Sequence, residues 1–179
     1  MIRSRWKRLS RSTLLDTPFL KVYLDAIQLP NGIKINDYSV ATLPSGVVIV
    51  ATDNQGRLLV QSEYKYAIDK FILNLPSGSI EDDDILTTAR KELIEETGYD
   101  SSEMEIVREL YEYPSKLSHS LYIIRARNVR KIKTVSHEET EFIEDVRLLS
   151  VEDFKRSDES FNTTYTLSAL ALTLPEFCN

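Results

Sequence analysis

Three carboxylates at close spacing are the residues in this sequence best placed to do chemistry. Glu92, Glu95 and Glu96 lie in the run Arg90-Lys91-Glu92-Leu93-Ile94-Glu95-Glu96-Thr97-Gly98. On a helix they are related as i, i+3 and i+4, which puts them on one face. Carboxylates so placed repel one another, and hard divalent ions such as Mg²⁺ take oxygen ligands of this kind. The same spacing also describes a solvated charged face with Arg90 and Lys91 as partners. Other catalytic patterns are missing. His119 and His137 are the only histidines, have no metal-ligand spacing to one another, and read as exposed loop residues. There is no Ser-His-Asp or Cys-His arrangement and no G-x-x-x-x-G-K phosphate loop.

The elements around this run can be read from period and punctuation. Leu86, Ala89 and Leu93 recur at helical spacing behind Asp82-Asp83-Asp84, whose carboxylates can cap a helix start. Gly98 stands where a helix stop is expected, so the helix runs from Asp83 or Asp84 to Thr97. Leu24 to Asp37 reads as strand, turn, strand about Pro30-Asn31-Gly32. Val47 to Ala51 is a fully apolar buried strand, and Arg57 to Gln61 returns after the turn Asp53 to Gly56. Phe71 to Leu75 is a strand ended by Pro76-Ser77-Gly78. Glu105 to Tyr111, Leu121 to Arg127 and Ile143 to Leu149 follow as strands. A short helix begins at Val151, and Leu167, Leu170, Ala171 and Leu174 stripe a last one. Strands and helices mix without strict βαβ alternation. The basic stretch Met1 to Arg11 reads as a solvated arm.

Taken with the turn Leu75-Pro76-Ser77-Gly78, the segment Gly78 to Tyr99 resembles the Nudix box, G-x5-E-x7-R-E-U-x-E-E-x-G-U with U apolar. Glu92 to Tyr99 matches its second half position by position. The first half departs from it. The loop is one residue shorter, Asp83 (or Asp84, counting forward from Gly78) replaces the box's first Glu, and Lys91 replaces its Arg. An Asp–Lys pair has shorter reach and lacks the planar fork of arginine. Beyond the box, Trp6 to Phe19, Asp25 to Tyr38 and Val47 to Gly78 resemble the ADP-ribose pyrophosphatase branch of the superfamily.

The resemblance implies an α/β fold of Nudix type. A mixed β-sheet is sandwiched between helices in residues 43–179, preceded by an arm and antiparallel strand pair in residues 1–42 that often reaches across a homodimer. It implies a metal-dependent hydrolase that cuts the diphosphate of a nucleoside diphosphate derivative, ADP-ribose or a related NDP-sugar. Glu92 and Glu96 would hold Mg²⁺ or Mn²⁺, with Glu95 bridging and the Ser77 carbonyl and Glu141 as further ligands. The base would be Glu139, or else Glu141, with Glu95 as the next candidate. Gly78, Asp83, Lys91 and Gly98 would shape the box. Lys65 and Tyr64, in the run Ser62-Glu63-Tyr64-Lys65 where the branch commonly has Arg-Gln-Tyr-Arg, and Ser115, in the loop Tyr113 to Ser118, would contact substrate. Asn74 stands where the branch often has Glu.

Composition agrees with a soluble enzyme of one domain. The chain has 179 residues, is 42% hydrophobic and carries a formal charge of −6, which disfavours duplex nucleic acid as the main partner. No apolar run approaches the ~18 residues of a membrane helix. The single cysteine, Cys178, cannot form an internal disulfide, which fits the reducing cytoplasm. Two other readings compete: a hydrolase of another nucleotide such as a dinucleotide coenzyme, and a non-enzymatic nucleotide-binding module with a shortened box.

Overall fold

The computed structural model describes residues 4–81, 84–135, 143–157 and 163–178. In chain order the strands are β1 (Lys7–Asp16), β2 (Lys21–Gln28), β3 (Lys34–Thr42), β4 (Gly46–Ala51), β5 (Leu58–Lys65), β6 (Lys70–Asn74), β7 (Ser77–Ser79), β8 (Tyr99–Asp100), β9 (Glu103–Leu110), β10 (Leu117–Ser118), β11 (Leu121–Arg127), β12 (Arg130–Lys131) and β13 (Ile143–Leu149). The α-helices are α1 (Ile85–Glu92), α2 (Val151–Arg156) and α3 (Thr164–Thr173). They divide between two compact units, residues 1–44 with 111–120, and residues 45–110 with 121–179.

The first unit is a sheet of order β1-β2-β3-β10, antiparallel except for the parallel pairing of β10 with β3. Residues Lys7 to Arg11, expected to be a solvated arm, are instead the start of β1, which pairs with β2 along its whole length. Every residue of β1 is exposed, so no alternation of apolar and polar positions marks it as a strand. Arg11 ties it to β2 through two bonds to the buried Asp25, 2.7 and 2.8 Å long. His119 belongs to this unit and is not a free loop residue. Its side chain is only 9% exposed and its Nε2 lies 2.8 Å from Glu112 Oε2.

The second unit contains three sheets, β7-β4-β11-β9, β13-β5-β6 and the small pair β12-β8. β4 and β11 run parallel at the centre, as their near-continuous apolar sequences require of strands covered on both faces. Val47, Ile49 and Ala51 face one apolar cluster with Ala89 and Leu93, while Val48 and Val50 face another with Phe154, Ala169 and Leu170. The period-2 alternation of β4 therefore places α1 in one cluster and α2 and α3 in the other. That is the mixed sheet flanked by helices expected from the sequence.

Candidate metal and active site

α1 starts where its carboxylates require. The Asp84 side chain accepts from the backbone N–H of Leu86 and Thr87 at 3.0 and 3.2 Å, closing two of the helix's orphan donors. Asp84 is therefore spent as the cap, and Asp83 lies outside the described residues. The helix does not run as a regular α-helix to Thr97. Leu93–Thr97 forms a π turn, closed by Gly98 in the left-handed conformation at φ 75° with its N–H on the Ile94 carbonyl at 3.0 Å. A Cβ at Gly98 would also collide with the Lys133 carbonyl.

The π turn changes which carboxylates meet. More residues per turn leave Glu96 nearly over Glu92 and swing Glu95 further round. Accordingly Glu92 and Glu96 are partly buried, whereas Glu95 is exposed. Among the described residues no three His, Cys, Asp or Glu side chains converge as a ready ligand set. Glu139 and Glu141, the expected base and further ligand, lie outside the described residues, as does His137.

The loop before α1 closes on this pair. Ser77 sits in β7, paired with Val48 of β4, and its backbone N–H donates to Glu96 Oε2 at 2.9 Å. The next residue, Gly78, lies so close to Glu92 that a Cβ there would overlap the Glu92 carboxyl group. Only glycine lets the strand and that carboxylate share the space. Burial pushes the Glu96 carboxyl up to about 8; the Ser77 N–H opposes this, and the charge of Glu92 adds to it. A site that raises a carboxyl so far lacks positive charge. The oxygen-rich donor set and the Gly78 cradle fit a hard divalent cation.

The remaining expected residues are placed as follows. Lys91 is exposed, and Arg90 beside it is bound to Asp100 of β8 by bonds of 2.8 and 2.6 Å. Arg90 thus fastens the end of the helix to β8. Lys65 pairs with Glu63 at 2.5 Å. Tyr64 donates to Asp69 at 2.7 Å and its ring lies 5.3 Å from Phe71. Ser115, in the first unit, is exposed, and its carbonyl accepts from Tyr38 at 2.5 Å. Asn74 is fully buried and tied to α3: its amide donates to the Tyr165 hydroxyl at 3.0 Å and accepts from Thr166 at 2.9 Å. Two residues near the site escaped sequence reasoning, Gln61 and Glu63 of β5, both of which influence Glu96. The available signal was a lone amide, Gln61, directly after the apolar run Leu58-Leu59-Val60.

The NUDIX domain family matches residues 42–168, and the nucleoside diphosphate sugar hydrolase N-terminal domain family matches residues 6–41. The chain belongs to the Nudix family and is a Nudix-type pyrophosphohydrolase. An ADP-ribose pyrophosphatase of Bacillus subtilis (strain 168) is 23% identical over 93% of this chain and 92% of its own. A methanol dehydrogenase activator of Bacillus methanolicus is 27% identical over 72% of this chain and 70% of its own. The crystal structure of an ADP compounds hydrolase superposes with a TM-score of 0.77 at 20% identity, covering 96% of this chain and 94% of the other. That similarity establishes the fold.

Proposed function

We propose that this enzyme hydrolyses the diphosphate of a nucleoside diphosphate-linked sugar, ADP-ribose or a close relative, to a nucleoside monophosphate and a sugar phosphate. The observation that carries the reading is the Glu92–Glu96 pair, held by the Ser77 N–H and backed by Gly78. The ADP-ribose pyrophosphatase relative and the N-terminal family match support the substrate class.

Glu92 and Glu96 would hold Mg²⁺, or Mn²⁺ in its place, with Glu95, Glu141 and the Ser77 carbonyl as further oxygen donors. When bound, the cation supplies positive charge to the diphosphate and lowers the pKa of water. The Ser77 N–H fixes the orientation of Glu96. Glu139 takes the proton of the attacking water, with Glu141 as the second candidate and Glu95 as the third. The water oxygen forms a bond to phosphorus, the bridging P–O bond breaks, and its electron pair leaves on the departing phosphate. Lys65 offers a cation to the substrate once it is released from Glu63. Tyr64 offers a ring to the base.

Residues 1–42 are proposed as a separate element that pairs two copies into a homodimer. The fully exposed β1 and the apolar Leu9, Leu14, Leu15 and Phe19 on and beside it favour this, because such an edge invites a partner. Light scattering that shows a monomer at micromolar concentration would refute it. The lone cysteine agrees with the cytoplasm. Among the described residues no helix is long and apolar enough to cross a membrane.

The deciding assay is a panel of nucleoside diphosphate derivatives incubated with Mg²⁺ or Mn²⁺, with products separated by chromatography. Preferential cleavage of ADP-ribose or another NDP-sugar is expected. Cleavage of dinucleotide coenzymes alone would replace the substrate assignment, and no cleavage of any member would overturn the reading.

A further inference from the structure

Gln61 is a side chain near the site with no part in the proposed hydrolysis. It is completely buried, yet neither its amide nitrogen nor its amide oxygen has a hydrogen-bond partner among the described residues. Nearly all buried polar side chains are paired, so an orphaned carboxamide calls for a cause. Its cross-strand neighbour Asn74 turns its amide to α3 instead, donating to Tyr165 and accepting from Thr166.

The strand's own geometry says where Gln61 points. Leu59 and Gln61 are two apart on β5, so they share a face. Leu59 belongs to the apolar cluster that contains Ala89 of α1 and Leu93 of the π turn. Glu96 lies three residues beyond Leu93, within the same π turn. Gln61 thus continues, in polar form, the row of β5 that meets the helix, towards the carboxylate that accepts from Ser77. The Gln61 side chain reaches the Glu96 carboxylate without completing a bond of ordinary geometry.

We propose that Gln61 is a positioning residue of the cation site, its side-chain amide donating to the Glu96 carboxylate from the strand side and so fixing the orientation in which Glu96 binds a divalent metal. The proposal rests on the cation-binding role given above to Glu92 and Glu96. In metal sites, the groups that hydrogen-bond a ligating carboxylate typically alter affinity by 10- to 100-fold when removed. A purely structural amide at this depth would behave differently, since its loss would register in the stability of the metal-free protein.

The test is Mn²⁺ affinity, read by calorimetric titration and by the electron paramagnetic resonance signal of free Mn²⁺, on the full chain. Wild type, Glu96→Gln and Gln61→Leu are compared, together with Gln61→Met in case the branched side chain misfolds. Thermal melts in EDTA accompany each. The expected result is a Kd for Mn²⁺ raised about tenfold or more in both Gln61 variants. Their metal-free melting should stay at or above that of wild type, because a buried unpaired amide has been replaced by an apolar group of similar size. If Glu96→Gln loses Mn²⁺ while the Gln61 variants bind it within twofold of wild type, the positioning role is overturned and the metal reading stands. If wild type binds no Mn²⁺, both fall. Metal-free melting well below wild type in both Gln61 variants, with unchanged affinity, would assign Gln61 to the fold alone.

Discussion

Replacing Gly78 by alanine should separate the site from the fold. Gly78, unlike Gly32, Gly56 and Gly98, is not in the left-handed region, so its backbone accepts alanine without strain. The added Cβ would fall on the Cγ, Cδ and Oε1 of Glu92. These atoms belong to a flexible side chain, so Glu92 swings away while the strand stays in place. An off-rotamer glutamate costs about 0.5–1.5 kcal/mol. For a domain of this size that corresponds to a fall of roughly 1–6 °C in Tm. The loss at the site is larger. If Glu92 holds the cation, moving it should cost turnover about as much as Glu92→Gln, on the order of a hundredfold or more. That is roughly 3 kcal/mol of barrier at about 1.36 kcal/mol per tenfold. The assay is kcat on the best substrate of the panel at saturating Mg²⁺, beside a thermal melt. A Gly78→Ala enzyme with near-wild-type kcat would refute the reasoning, as would a collapse of the fold.

Three further predictions follow from named residues. Glu96→Gln should abolish turnover while leaving circular dichroism and the metal-free melt at wild-type level, since it removes a carboxyl that burial already disfavours as an anion; residual kcat above about a tenth of wild type would sink the ligand role. Glu139→Gln should lower kcat strongly with little change in KM or metal requirement, whereas Glu141→Gln should raise the metal concentration needed; the reverse pattern would exchange the two roles. Asp25 is held below the usual carboxylate range, first by the hydrogen bonds from Arg11 and despite burial, with the Arg11 charge adding to the effect. A depressed pKa stabilises the folded state above the ordinary carboxylate pKa, and that contribution is lost as pH falls through the folded value. Stability of the wild type should therefore drop between about pH 4 and strong acid more steeply than that of Asp25→Asn, and parallel acid melts would count against the pair.

The sequence by itself determined the helix carboxylates, a cap within Asp82-Asp83-Asp84, the stop at Gly98 and the apolar central strands. Each of these is a local matter: a side chain reaching its own backbone, a φ that glycine adopts, or a run of apolar residues that water excludes. Most strand positions were legible for the same reason. What did not show was decided by contacts between distant segments. β1 carries no alternation because all its residues are exposed, and only its pairing with β2 makes it a strand. The segment Tyr111 to Ser120 joins the N-terminal strands because Leu117 and Ser118 pair with β3, about 75 residues away in the chain. Helical spacing put Glu92, Glu95 and Glu96 on one face; the π turn and the folded packing leave Glu92 and Glu96 partly buried and Glu95 exposed. Gln61 was visible only as an amide after an apolar run. Its place beside Glu96 follows from the packing of β5 against the helix, and from the dielectric and hydrogen bonding that a buried carboxylate meets only in the folded chain.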